Sequence, residues 1–297
     1  MNARLARVQA AIAPLTGAER AIAHSVMYSA LFDYPLTLSQ LRHTLIESRL
    51  TPTEILRTYA GSAALQALVA YRDGFFFPAS RPDLPEERAQ REARSRQFLR
   101  HHRLVLTLIC ALPWVRLVAL SGSIAHLNLE GDGDLDLFVV TRGRQVWSTT
   151  VAIVLLAKLL RRRRAICANF VLADTHLAIE PADLFTASQI IHLKPLVGDE
   201  VFARFLAANP FVGSFHPNFH RSLARHGGYA VPVLPARVRT AVEWLLAKTL
   251  VQVAEHLHMT HGQLSKIERG KQPYNQELLE ALAELYLCDV VDLLIRD

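Results

Sequence analysis

Three short apolar runs and one long apolar segment constrain the fold more than any other feature of this sequence. The runs "VRLVAL", "LDLFVV" and "AICANFVLA" have the length and the residue types of buried strands. The segment "WSTTVAIVLLAKLL", between the second and third runs, has the length of a helix. This alternation of strands and helix predicts an α/β core over residues 105–195.

The flanking segments have different patterns. Residues 1–80 contain helical periodicity, two capping boxes that begin at Thr37 and Thr51, and a turn within "YRDGFFFP". Three helices before a β-hairpin predict a winged-helix-like region, and a plain helical scaffold is the alternative. Residues 81–104 are dense in charge and predict an exposed connecting helix. Residues 196–240 predict a helical and loop extension, and residues 241–297 are wholly helical in pattern.

The bulk composition limits the classes of function. The chain has 297 residues, is 51% hydrophobic and has a net charge of +6, which suits a folded protein with an anionic partner. The three cysteines are far apart and predict buried reduced thiols, as in a cytoplasmic protein. The longest apolar run falls short of the roughly 20 residues of a spanning helix, so we expect no membrane segment.

The acidic stretch "LSGSIAHLNLEGDGDLDLFVVT" is the first candidate site. Gly122 and Ser123 follow a strand, where a glycine allows close approach of a ligand and a hydroxyl can bind phosphate oxygens. Side chains alternate along a strand, so Asp134 and Asp136 point to one side, about 7 Å apart. Two carboxylates and substrate phosphates are ligands that Mg²⁺ accepts.

Two other interpretations compete with a magnesium site. An EF-hand loop that started at Asp132 would need glycine at its sixth position and glutamate at its twelfth, and the sequence has Leu137 and Gly143 there. An acidic turn before an ordinary strand explains Asp132. It does not explain Asp136, which lies inside an apolar run where an unpaired charge is costly.

An apolar strand, Gly-Ser, a spacer and Asp-apolar-Asp-apolar together resemble the DNA polymerase β-type nucleotidyltransferase superfamily. "ALFDYPLTLSQL", "LFTASQIIHLKPLVG" and "NPFVGSFHPNF" are similar to uncharacterised bacterial nucleotidyltransferase-like proteins, over about residues 20–220. The resemblance implies a core with a mixed sheet. It implies that Gly122 and Ser123 bind nucleotide phosphates and that Asp134 and Asp136 are catalytic and bind Mg²⁺. The superfamily's third carboxylate has no clear equivalent: it is displaced to Asp174, replaced by Asn169, or absent.

The C-terminal segment resembles the Cro/repressor-type helix-turn-helix family over about residues 249–297. The run "SKIERGK" and the following "ELLEALAE" carry the likeness. It implies a recognition helix over 260–269 and contact with double-stranded DNA through residues 249–271. It also implies that the chain can form a homodimer, as repressor-type domains commonly do. The residues expected to face DNA are Gln252, His261, Gln263, Ser265, Lys266 and Arg269.

Two functions follow from these two sites. The first is a Mg²⁺-dependent nucleotidyltransferase that moves a nucleoside monophosphate from an NTP to a hydroxyl of an acceptor and releases pyrophosphate. The alternative is a DNA-binding transcriptional regulator with a nucleotide-sensing or inactive transferase-like core. For the C-terminal segment, a helical module that binds other proteins is the alternative to DNA binding.

Overall fold

The computed structural model describes residues 15–131, 133–143 and 145–220. The predictions for Asp132 and for residues 241–297 lie outside these residues. Within them, no helix is both long enough and apolar enough to cross a membrane.

Residues 17–78 form helices around a small sheet. The helices are α1 (Gly17–Ser29), α2 (Leu38–Thr44), α3 (Pro52–Ala60) and α4 (Ala63–Leu68), and Ala30–Phe32 form a 3₁₀ turn. The strands are β1 (Leu36–Thr37), β2 (Val69–Arg72) and β3 (Phe75–Pro78), with β3 antiparallel to both neighbours. The predicted helices and hairpin are therefore present in the predicted order.

The sequence encodes the starts of these helices locally. The side chains of Thr37 and Thr51 accept hydrogen bonds from the backbone N–H groups of Gln40 and Glu54, and both capping boxes are complete. Apolar side chains of the helices then cover one face of the hairpin around the fully buried Phe76. We call residues 15–78 the N-terminal region.

Two helices, α5 (Leu84–His101) and α6 (Arg103–Cys110), lead into the core. The prediction of an exposed connecting helix is correct for most of α5 and wrong for one side of it. Arg88 is buried, donates to the carbonyl oxygen of Pro35 and to Oε1 of Gln40, and lies over the ring of Tyr34. The helix therefore joins the N-terminal region to the core.

The core is an α/β unit with a mixed four-stranded sheet. Its strands are β4 (Val115–Leu120), β5 (Leu135–Thr141), β6 (Ile166–Ala173) and β7 (Lys194–Val197), in the order β6-β5-β4-β7. Only β5 and β6 are parallel. The helix α8 (Val146–Leu159) supplies the crossover between them, as its buried apolar residues predicted. This confirms a mixed α/β core.

Helices cover both faces of this sheet. Alternate residues of β5 divide between two clusters: Leu137 and Val139 pack towards α6 and α8, and Phe138 and Val140 pack towards α9 (Leu184–His192) and α10 (Asp199–Ala208). A short helix α7 (Gly122–Ala125) follows β4, and α11 (Phe211–Phe215) follows α10.

The sequence reading missed β7. The strands predicted for the core end with "AICANFVLA", and residues 196–240 are predicted as helix and loop, yet Lys194–Val197 pair antiparallel with β4. The run is only four residues long and contains Pro195, so it has little strand signal of its own. It lies at the edge of the sheet, where a proline without an N–H is tolerated.

Candidate functional site

Two carboxylates converge at the start of β5. Asp134 precedes the strand and Asp136 is its second residue, and both are half-buried. Asp136 is on the same face of β5 as Phe138 and Val140. The α9 and α10 helices cover Phe138 and Val140, and Asp136 is only half-buried. Oxygen atoms of Asp134 and Asp136 lie within 4.8 Å of one another, so both can contact one cation.

Cys167 is a third donor that sequence reasoning missed. Parallel pairing of β5 and β6 places Cys167 opposite Asp136, and its Sγ lies within the same 4.8 Å. The thiol is reduced and half-buried. The strand assignment alone could not find it, because only the register between β5 and β6 selects this residue from its neighbours.

Gly122 packs directly on one of these carboxylates. Its φ is +60°, and a Cβ added to it would lie 2.1 Å from Oδ2 of Asp136. The backbone N–H of Ser121 also donates to the carbonyl oxygen of Asp136 at 2.9 Å. The structure thus brings Gly122 to the acidic end of β5, and it leaves the adjacent Ser123 exposed beside it.

Asp174 does not belong to this group, so its prediction as the displaced third ligand is wrong. Its backbone N–H donates to Thr141 at the far end of β5, and its Oδ1 accepts from the backbone N–H of Gly143 at 2.8 Å. Thr141 is five residue steps along the strand from Asp136, a distance of about 17 Å. Asn169, the other candidate, lies on β6, and its side chain is outside the described residues.

The donor set fits a divalent cation in part. Asp134 and Asp136 suit Mg²⁺, which takes one or two carboxylates and completes its shell with water and phosphate oxygens. Cys167 does not suit Mg²⁺, since a thiolate selects softer ions such as Zn²⁺. Asp134 and Asp136 can bind Mg²⁺, and the same two residues with Cys167 can bind a softer ion such as Zn²⁺. The thiol therefore decides between these two classes of ion.

A cavity of about 380 Å³ lies on the other side of the Gly122–Ser123 turn. We call it the interregion cavity, because α1, the 3₁₀ turn and Tyr34 line one side, and α7, α9 and residue Asn128 line the other. Its volume is within the range of small-molecule sites. No local pattern in the sequence indicates this cavity, because its two walls come from segments almost 100 residues apart.

Three histidines of this cavity are held neutral. Burial, and next the nearby Lys194, lowers the pKa of His126 to about 3. Burial lowers the pKa of His216 to about 4 and that of His192 well below its usual range. The rings of His126 and His192 are in contact, with centroids 4.1 Å apart. Burial and the proximity of the two rings both disfavour the protonated form of either histidine.

The six residues predicted to face DNA lie outside the described residues. They are Gln252, His261, Gln263, Ser265, Lys266 and Arg269. Their roles are therefore sequence predictions only.

Comparison with known proteins bears on that C-terminal segment. A family model described as a helix-turn-helix domain matches residues 233–294. This confirms a helix-turn-helix domain there, and the match begins before Thr249, where the sequence resemblance begins. The chain matches no curated protein and no solved structure. The nucleotidyltransferase resemblance of the core stays a prediction.

Proposed function

We propose that this chain is a DNA-binding regulatory protein whose α/β core binds a nucleotide. The observation that carries the DNA-binding part is the match of residues 233–294 to a helix-turn-helix domain. Such domains place their second helix in the major groove, where its first residues reach base edges.

The residues of this helix suit contact with DNA. Gln263 has the amide that pairs with adenine, and Lys266 reaches guanine or phosphate. Lys266, Arg269 and Lys271 form a basic cluster with Glu268 as its one acid. Residues 249–297 as a whole have four Lys or Arg against eight Asp or Glu. Attraction to phosphate would therefore come from this cluster, and we expect modest non-specific affinity.

Fluorescence anisotropy of a labelled random duplex, titrated with the full chain at several salt concentrations, tests this proposal. We expect the affinity to fall with salt, and K266A to reduce the slope of log K against log salt by about one unit. R296A is the matched control, because it removes a positive charge from the same segment outside the basic cluster. Binding that ignores salt, or that K266A and R296A weaken equally, would sink the proposal.

The geometry of the core favours a second candidate function, a nucleotidyltransferase. The observation is the convergence of Asp134 and Asp136 beneath Gly122, whose backbone packs on Asp136. A bound Mg²⁺ would neutralise triphosphate charge and favour ionisation of the acceptor hydroxyl.

Each residue then has a defined task. Asp134 and Asp136 would hold the cation, and Gly122 would let the phosphates approach the backbone. The hydroxyl of Ser123 would donate a hydrogen bond to a phosphate oxygen. The acceptor hydroxyl would lose its proton to water as its oxygen bonds to the α-phosphorus, the bond from that phosphorus to the bridging oxygen would break, and pyrophosphate would leave.

Calorimetric titration with ATP, GTP, CTP and UTP, with and without Mg²⁺, tests the core. We expect Mg²⁺ to strengthen NTP binding, and the D134N/D136N variant to lose this dependence on the cation. D174N is the matched control, since this aspartate lies on the same sheet at its opposite end. Binding without release of pyrophosphate would leave a nucleotide sensor, and no binding of any NTP would remove both readings of the core.

The N-terminal region has a supporting part in this proposal. Its order of helices and strands is that of a winged helix, with β1 paired to β3. Its contacts to the core place it as one wall of the interregion cavity. We assign DNA contact to the C-terminal domain and not to this region.

A further inference from the structure

The interregion cavity is built differently from the acidic end of β5. Among the described residues that line it there is no lysine or arginine. Its two acids, Asp33 and Glu130, are paired outside it with Arg81 at 2.8 Å and with Arg91 at 3.0 Å. With its histidines neutral, the cavity suits an uncharged group and gives no counter-charge to phosphate.

Two side chains that line this cavity, Tyr28 and Asn128, have a buried polar atom with no hydrogen-bond partner among the described residues: Oη of Tyr28 and Oδ1 of Asn128. Asn128 is only 6% exposed, and its Oδ1 is buried with no hydrogen-bond partner among the described residues. Its Nδ2 donates to the carbonyl oxygen of Phe32 at 2.9 Å. A buried acceptor of this kind normally has a partner, so Asn128 indicates a ligand that donates an N–H or O–H.

The backbone around Asn128 is fixed on several sides. Its N–H donates to the carbonyl oxygen of Ser123 at 2.9 Å, and the next N–H, of Leu129, donates to Oγ of Ser95 at 3.0 Å. Leu127 has a left-handed φ of +55° that these bonds hold in place. The amide is therefore pre-positioned, and it is tied directly to the Gly122–Ser123 turn.

Two further polar atoms of the cavity are acceptors. Nδ1 of His192 lies 2.6 Å from the carbonyl oxygen of Ser188 and so carries the proton, which leaves Nε2 as an acceptor. Oγ of Ser188 donates to Nε2 of His216 at 3.1 Å, so the remaining capacity of that oxygen is to accept. A ligand that pairs with these atoms and with Oδ1 of Asn128 brings donors, such as an amino group and sugar hydroxyls.

The apolar part of the lining is largely aromatic. Tyr28 and Phe32 are edge to face at 5.9 Å, and Tyr34 meets His126 at 5.0 Å. Flat rings of this kind bind planar aromatic groups by stacking.

We propose that the interregion cavity binds the adenosine part of an adenine nucleotide, with Oδ1 of Asn128 accepting a hydrogen bond from the exocyclic amino group. The phosphates would leave the cavity at Gly122 and Ser123, towards Asp134 and Asp136. An asparagine amide pairs with the amino edge of adenine, whereas the same edge of guanine presents two acceptors to it. This inference rests on the proposed nucleotide-binding role of the core and names the base.

Calorimetric titration of the full chain with adenosine, guanosine, cytidine and uridine, without divalent cations, tests the proposal. We expect adenosine to bind most tightly, with guanosine weaker by at least about tenfold, the equivalent of one hydrogen bond. Purine riboside, which is adenosine without the amino group, should also bind about tenfold more weakly. This comparison changes the ligand only and leaves the protein intact.

The matched protein variants are N128L and N218L. Asn218 also donates from Nδ2 to a backbone carbonyl, that of Leu50 at 3.0 Å, but it does not line the cavity. We expect N128L to weaken adenosine binding at least tenfold and N218L to leave it unchanged. If N128L does not fold, the comparison of adenosine with purine riboside decides the question.

Four outcomes would overturn the proposal: no nucleoside binds, guanosine binds as tightly as adenosine, cytidine or uridine binds as tightly as adenosine, or purine riboside equals adenosine. The test needs neither metal nor DNA. Loss of the metal site or of DNA binding would therefore refute the proposed function and leave adenosine binding in place.

Discussion

The two ends of strand β5 each combine a left-handed glycine with an aspartate, and they differ in what the aspartate contacts. At the first end, Gly122 packs on the carboxylate of Asp136, which converges with Asp134 and Cys167. At the other end, the carboxylate of Asp174 accepts a backbone hydrogen bond from Gly143. An aspartate beside a glycine is therefore not a site signal by itself. Whether such an aspartate belongs to a metal site depends on the other donor atoms that neighbouring strands bring to the same point.

The strongest test of this comparison is to add a methyl group to each glycine. Gly122 and Gly143 have φ values of +60° and +58°, so alanine at either position costs about 1–2 kcal/mol in backbone strain. Only at Gly122 would the new Cβ meet a carboxylate, at 2.1 Å, whereas the space around Gly143 is open within 4 Å. We expect G122A to lower the free energy of unfolding by about 3 kcal/mol or more, because overpacking adds to the strain.

Chemical denaturation of G122A and G143A measures this difference. We also expect G122A to lose cation-dependent nucleotide binding, and G143A to keep it. Equal destabilisation of the two variants, with binding kept in both, would mean that contact between Gly122 and Asp136 has no role.

Removal of the aspartate charges should affect cation binding at one end of β5 and not at the other. We expect D134N/D136N to weaken binding of Mn²⁺, used as a probe for Mg²⁺, by about 100-fold, because two ligands lose their charge. D174N should leave that affinity unchanged, since an amide oxygen can still accept from Gly143. Electron paramagnetic resonance of free Mn²⁺ gives both constants, and a loss in D174N would contradict the assignment.

Acidification should destabilise the Gly122 end through His126, the residue that caps α7. Burial, and then Lys194 and Arg88, lowers its pKa in the folded protein to about 3, against about 6.5 when unfolded. A lowered pKa means that the stabilisation is complete above pH 6.5 and is lost as the pH falls towards 3. At pH 5 the loss is on the order of 2 kcal/mol.

Urea denaturation at pH 7.5, 6 and 5 measures this slope. The H126Q variant should have a flatter dependence than the natural chain over that range, since the carboxylates contribute equally to both. Parallel curves for the two proteins would show that His126 does not titrate in this way.

The smallest expected effect concerns the choice of metal. We expect C167S to weaken Zn²⁺ binding about tenfold or more and to leave Mg²⁺ binding unchanged, because a hydroxyl replaces a soft ligand. C110S is the matched control, since burial raises the pKa of the Cys110 thiol to about 12 and this residue is outside the site. Competition with a Zn²⁺ chelator gives the constants, and equal Zn²⁺ affinity in C167S and C110S would exclude the thiol as a ligand.

Much of the fold was predictable because its signals are local. The capping boxes at Thr37 and Thr51 and the runs of β4, β5 and β6 are encoded within a few neighbouring residues. The pairing of Asp134 with Asp136 followed from the two-residue period of a strand. β7 escaped prediction because a four-residue strand with a proline gains its order from pairing with β4.

The sequence by itself determined the types of most elements, the convergence of Asp134 with Asp136 and the helix-turn-helix domain of residues 233–294. These depend on spacings along the chain that any register preserves. Only the tertiary structure decided that Cys167 joins the carboxylates, that Asp174 lies at the far end of β5, and that Asn128 faces a cavity. Those facts depend on the register between β5 and β6 and on the seating of the N-terminal region against the core. Both are set by packing between residues far apart in the chain, which no local pattern encodes.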